Sequence, residues 1–390
     1  MRKAASPLFS VALLATIVGA VFVVMLAIDP GTLTLQWTDK DFANYWMAAR
    51  LALEGRALDV FGPHESYLAH LRSFFGADYP WRAWSYPPHY LLLMLPLGLF
   101  TYKFALILFL LVTFLLLCGA LHLAARQMKG WQLLLLLPVA LTNAFVVQNG
   151  FLLGALLIAG LALRDSRPVL AGICFGLLTV KPQLGVLLPL LLLWERRWPA
   201  IASAVVTALA LFLLSVSLFG IEAWAGFFHY VTPYQVHVMK ELTGLFLHMM
   251  PTVFGAIRSL DFDASMAFAV HLPFAVLALV LFGYSLLRLD QPEARAASTV
   301  FATAMVMPYL ASYDLVALVA AAVLWMDLRP SSLALRFALF CLACVPLVMP
   351  LLSLLGWPVA PVVILATWLG LLGRDGALPR LTRRPSPATM

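Results

Sequence analysis

Residues 38–88 read TDKDFANYWMAARLALEGRALDVFGPHESYLAHLRSFFGADYPWRAWSYPP. The stretch is dense in acids, bases and aromatics and ends on Pro-Pro, whereas nearly everything around it is built for lipid. Of 390 residues, 63% are hydrophobic and only 11% charged, which is far outside the soluble average and makes this an all-α polytopic membrane protein. One polar loop is therefore held against a long series of apolar spans. The net charge of +7 is spread over short connectors and forms no basic, aromatic face, so it bears on membrane orientation and gives no reason to expect nucleic acid. Cys118, Cys174, Cys341 and Cys344 all fall in apolar runs. They read as small core hydrophobes, because the CxxC at Cys341 to Cys344 has no second pair to complete a metal site.

Upstream, Met1-Arg2-Lys3 leads into an apolar run from about Leu8 to Ile28. That run is long for a signal peptide and lacks a small-x-small cleavage site, so it reads as an uncleaved first helix that starts in the cytoplasm. The 38–88 loop is then outside. Pro88 to Phe100 is too short to cross a ~30 Å hydrocarbon core and is expected to lie at the outer interface as a re-entrant or reclining helix. With that placement, spans follow near 103–124, 131–147, 151–163, 168–180, 183–194, 199–219, 265–288, 295–310, 314–328, 335–355 and 359–373. Every inner connector then holds at least two basic residues, among them Arg126 and Lys129, Arg164 and Arg167, and Arg196 and Arg197. The count is twelve spans in the cell membrane with both termini cytoplasmic. Residues 1–377 form one membrane domain with outer loops at 29–102 and 220–264, and 378–390 read as a disordered cytoplasmic tail. The spans 151–163, 168–180 and 183–194 are short, so their outer ends are expected to stop below the lipid surface and leave a cavity open to the outside. In the second outer loop Trp224, Phe227, Phe228 and Tyr230 suit an interfacial helix with aromatic anchors.

This topology gathers the unusual polar residues on one side: Asp39, Asp41, Gln148, Asn149, Lys181, Gln183, His229, His237, His248, Tyr313 and Asp314. Lys181 follows Arg167 by a rise of about 21 Å, which leaves its ammonium short of the outer lipid surface. An ionisable group at that depth faces a cavity or a partner. A lipid-linked phosphate is one partner; snorkelling, or pairing with an acid such as Asp314, are the alternatives. Asp41 opens a helical pattern in which Phe42, Tyr45, Trp46, Ala49 and Leu53 share an apolar face. It is either a reactive carboxylate or simply the helix cap, a role Asp39 fills equally well. Tyr86, Pro87, Pro88 and His89 precede the reclining helix, where Pro-Pro is geometry more than chemistry. His229, His237 and His248 are spaced too irregularly for a metal motif and fit interfacial or acceptor-site roles better.

Taken together these residues resemble glycosyltransferase family 87. The resemblance rests on Asp41-Phe42, Tyr45, Ala48-Ala49 and Leu53-Glu54-Gly55 (one residue short of the usual Leu-x-x-Gly), and on Tyr86-Pro87-Pro88 leading into LLLMLPL. It continues through Gln148-Asn149 at the start of a short span, Ala171-Gly172, Lys181-Pro182 and Arg196-Arg197-Trp198, and weakens beyond. Members of that family have the multi-span GT-C architecture and transfer a sugar, with inversion, from a polyprenyl phosphate outside the membrane. The resemblance implies Asp41 as general base and Lys181 at the donor phosphate. Further substrate contacts are expected among the outer-face residues Asp39, Tyr45, Tyr86, His89, Gln148, Asn149, Gln183, His237, Tyr313 and Asp314. Mannose is the sugar it favours, and the acceptor is a glycan or glycolipid. One departure is that Met307-Pro308-Tyr309-Leu310-Ala311-Ser312-Tyr313-Asp314 stands where mannosyltransferase members often carry a Ser-Pro and His-rich stretch.

Elementary chemistry agrees with that reading. Nucleotide sugars are absent outside the cytoplasm, and the chain has no Gly-rich phosphate cradle. A lipid phosphate donor removes both difficulties. An inverting transfer needs a carboxylate to take the acceptor's proton and a cation to steady the leaving phosphate, so one Asp and one Lys are the minimum and no metal or other cofactor is required. A transporter or flippase of lipid-linked saccharides is the competing class, since many spans and a buried Lys also fit transport. No inverted repeat is visible in its favour. A noncatalytic scaffold is a third reading, against which the clustered outer polar residues count.

Overall fold

The computed structural model describes residues 41–124, 130–241 and 243–378, and the described residues form helices and turns without strands. The expected first helix, Asp39 and the tail from residue 379 onward lie outside these residues. The polar loop folds as α1 (Phe42–Leu53) and α2 (His64–Phe75), separated by a short turn of helix, and then runs extended into α3 (Pro88–Met94). The bundle follows: α4 (Tyr102–Ala124), α5 (Leu137–Val146), α6 (Gly150–Leu163), α7 (Pro168–Leu177), α8 (Leu188–Trp194) and α9 (Trp198–Phe219). After α10 (Thr232–Glu241) in the second polar loop come α11 (Ala264–Arg288), α12 (Pro292–Val306), α13 (Val316–Asp327), α14 (Leu333–Leu354) and α15 (Ala360–Arg374). From α4 onward, α10 apart, the helices fall on the expected spans with ends that differ by up to six residues, because long apolar runs bounded by charge or proline leave the backbone no other way to satisfy its polar groups in lipid.

Four of them, α4, α9, α11 and α14, are long and apolar enough to cross a membrane. The others are shorter, so by length alone the described residues provide fewer full crossings than the spans counted from sequence. α9 shows the solvent for which the fold is made. It buries only Ala200, Ser215 and Phe219 and exposes Val205, Val206, Leu209 and Leu213, an apolar surface that belongs in lipid.

α1 is different, being buried on nearly every side through Phe42, Ala43, Tyr45, Trp46, Met47, Ala48, Ala49 and Leu51. The single apolar face expected for it is too narrow a description. Leu53, placed on that face from sequence, is instead exposed. The helix stops there because Gly55 takes a left-handed φ of 74°. α3 packs on α1 and α9, and Pro96 tightens its continuation, Leu95–Leu99, into a 3₁₀ turn.

Three interruptions in the bundle position the site. α5 ends at Val147, a β-branched residue held left-handed at φ 53° and ψ 54°, which turns Gln148 and Asn149 out of the helix. α7 tightens to a 3₁₀ turn at Leu178–Val180 and breaks at Lys181 (φ −139°, ψ 73°), where Pro182 disfavours helical geometry. α12 breaks at Met307 before Pro308, and the chain resumes as the 3₁₀ turn Ser312–Leu315 leading into α13. Backbone freed at such breaks needs partners. The Thr252 hydroxyl donates to the Pro308 carbonyl at 2.8 Å, Ser312 N–H to the Met249 carbonyl at 2.8 Å, and the Asn143 amide to the Tyr313 carbonyl at 2.9 Å. Gly150 makes the convergence possible, since a Cβ there would strike the Tyr313 carbonyl and the Asn143 side chain.

Candidate active site

Lys181, at the second break, donates from its ammonium to both carboxylate oxygens of Asp314 at 2.6 and 2.8 Å. Both side chains are buried, and the nitrogen lies 5.0 Å from the centroid of the Tyr313 ring. Asp314 is also anchored by the Ala311 N–H at 3.0 Å. Of the alternatives left open by the sequence, snorkelling is therefore excluded and the acid pair is present. An ammonium carries three protons, of which Asp314 takes two.

Asp41 sits at the N-cap position of α1 but makes no cap hydrogen bond with its side chain. Its carboxylate turns the other way, accepting from the Gln148 amide at 2.7 Å and lying 3.6 Å from the Arg82 guanidinium. Gln148 is itself oriented. Its carbonyl oxygen accepts from the Tyr45 hydroxyl, and the Tyr86 hydroxyl lies 3.3 Å from the same oxygen and 2.9 Å from that of Tyr45. Burial first, then neighbouring phenols, push Tyr45 and Tyr86 well above the usual phenol range, so both keep their protons and the amide N–H is left to face Asp41. About a third of the Asp41 side chain is exposed, enough to meet a substrate.

The front carboxylate and the buried pair belong to one region. Tyr309 is within electrostatic reach of Asp314, Asp41 and Tyr234 together. The structure thus unites Asp41, Tyr45, Tyr86, Gln148, Lys181, Tyr313 and Asp314. Asn149 lies behind them, its amide 3.4 Å from the Tyr90 hydroxyl. His89 is further back, stacked on Trp224 at 5.5 Å and 3.3 Å from the Thr179 hydroxyl; burial lowers its imidazole to about 4, so it is neutral. Gln183 is half-buried in the turn after Lys181, and His237 is exposed beside Tyr234.

Trp224 is half-buried and donates to the Ser215 hydroxyl at 2.9 Å, while Phe228 and Tyr230 are exposed. The residues missed from sequence are Arg82, Tyr309 and Trp81; the signal for Trp81 and Arg82 was the Trp81-Arg82-Ala83-Trp84 run within a polar loop, and that for Tyr309 the departure at Met307–Asp314. A cavity of about 740 Å³ lies at the other ends of α6 and α13, among Leu161, Arg164, Ala297, Ala321 and Leu324, and takes no part in this site.

Comparison with known proteins bears on this geometry. The model of glycosyltransferase family 87 matches residues 84–312, more than half of the chain. The match reaches well beyond Trp198, where the resemblance by motif weakened, and it begins after Asp41 and ends before Asp314. No curated protein and no solved structure matches the chain.

Proposed function

The chain belongs to glycosyltransferase family 87, and from that premise we propose that it transfers a sugar from a polyprenyl phosphate to a glycan or glycolipid on the outer face of the membrane, with Asp41 as general base. The sugar is a hexose or pentose, with mannose the first to assay. The observation that carries this reading is that the Asp41 carboxylate caps no helix and is instead held by Gln148 and faced by Arg82. A carboxylate held by one donor with part of its surface open suits proton removal.

In the reaction the acceptor hydroxyl attacks the anomeric carbon and gives its proton to Asp41. The bond from that carbon to the phosphate oxygen breaks, and the electron pair leaves on polyprenyl phosphate. Lys181, paired with Asp314, offers its remaining proton to the phosphate oxygens. Gln148 positions Asp41. No step needs a metal or cofactor, because the cation that steadies the leaving group belongs to the protein.

The test is Asp41→Asn in purified protein supplied with polyprenyl-phosphate mannose, arabinose or glucose. Asn keeps the size of the side chain but cannot take a proton, so turnover is expected to fall at least ~100-fold with donor binding and yield retained. Near wild-type transfer by this variant would remove Asp41 from the chemistry.

A further inference from the structure

Beside Asp41 the two polar loops meet through aromatic side chains that the mechanism does not use. Trp81 is 41% exposed, and its indole N–H donates to the Tyr234 hydroxyl at 2.5 Å. His64 lies against the same Tyr234 ring, centroids 4.2 Å apart, and is held by the Tyr230 carbonyl at 3.1 Å. Gln235 reaches across to the Ser85 hydroxyl at 2.9 Å. Gly226 permits the approach, since a Cβ there would strike the Phe61 carbonyl.

The lip adjoins the reacting group. Arg82, next in the chain to Trp81, faces Asp41 at 3.6 Å, and Tyr309 is within electrostatic reach of both Asp41 and Tyr234. We propose that Trp81, Tyr234 and His64, with Gln235 and Ser85 at their edge, form the subsite that holds a neutral sugar ring of the acceptor while its hydroxyl meets Asp41. This rests on the transferase reading above and adds the acceptor's chemistry to it.

Three features favour a sugar. Flat aromatic faces offer apolar area to the C–H side of a pyranose, while the amide and hydroxyl at the edge suit its hydroxyl groups. The lip is uncharged at neutral pH: burial lowers His64, with the Tyr230 carbonyl only partly opposing, and burial raises Tyr234, so neither ring carries charge. A lipid anchor, the other use of exposed aromatics at a membrane surface, points its rings outward without partners across the loops. Here the two loops lock the rings to each other.

The experiment is saturation-transfer NMR on the full chain in nanodiscs with neutral trisaccharides of mannose, glucose and galactose. At least one is expected to bind, Trp81→Ala and Tyr234→Ala each to weaken that binding tenfold or more, and Trp81→Phe to keep most of it. Binding is read here without any transfer, which separates failure of the lip from failure of the proposed base. Absence of binding to all three sugars overturns the proposal. So does equal binding by Trp81→Ala, or a loss in that variant that appears only as weaker association with phosphatidylcholine vesicles.

Discussion

At the scale of single residues, the buried Lys181–Asp314 pair makes any mutation of Lys181 ambiguous. Removing one partner of a buried ion pair costs about 3–5 kcal/mol, because the other charge is left without compensation. Lys181→Met is therefore expected to lower thermal stability as well as donor binding. Lys181→Met combined with Asp314→Leu leaves no stranded charge and should recover most of the stability without recovering donor affinity. Normal donor binding by that double variant, measured in a titration with polyprenyl phosphate, would reduce Lys181 to a structural role. Gln148 calls for a different readout. Gln148→Leu is expected to lower kcat at least tenfold with donor KM unchanged. Gln148→Glu, which sets a second carboxylate where the amide now lies 2.7 Å from Asp41, should lower it further at neutral pH. A rise in donor KM without a fall in kcat would place Gln148 on the donor and not behind the base.

At the scale of helices, close approach depends on missing side chains. Gly172 and Gly176 lie four apart on α7 and face α9, where a Cβ would meet Ala200 and Ser203 from the first and Ala204 and Thr207 from the second. Small residues spaced this way let helices meet backbone to backbone in lipid, where no hydrophobic force draws them together. Gly172→Ala should destabilise by about 1–3 kcal/mol, the usual cost of overpacking, with kcat per folded molecule little changed. Gly150→Ala is expected to lower both, because the Tyr313 carbonyl must move and carries Asp314 with it. Thermal unfolding in detergent alongside a transfer assay distinguishes the two.

For the molecule as a whole, orientation and acid stability are the testable quantities. A cysteine at Ser66, which is exposed, is expected to react with an impermeant thiol reagent outside intact cells, and one at exposed Ser166 is not. Labelling at position 166 would invert the topology and move the site to the other side. Near Ser166, Glu195 accepts from Arg164 at 2.8 Å and from Arg295 at 3.0 Å, tying the connector after α8 to the ends of α6 and α12. Burial alone would raise its carboxyl, but the two guanidinium groups outweigh burial and hold it below its ordinary value. A carboxylate depressed in the folded state stabilises above its unfolded pKa of about 4.3. That contribution is lost as pH falls through the lower, folded value. Glu195→Gln should therefore unfold at lower temperature at pH 7 and show a shallower loss on acidification, read by thermal melts from neutral pH downward.

Membrane class, the bounds of the helices and the short list of polar residues were legible in the chain itself, because span length, proline breaks and charge asymmetry are local properties. Pairing was not. Gln148 meets Asp41 across 107 positions, Lys181 meets Asp314 across 133 and Trp81 meets Tyr234 across 153. No periodicity links residues so far apart. Their meeting is decided by where Val147, Lys181 and Met307 interrupt their helices and by how closely Gly150 lets those breaks converge. The same packing buries Ala43 and turns Asp41 away from the helix it was placed to cap. A cap and a base carry the same side chain in the same position, and only the partners brought by the fold tell them apart.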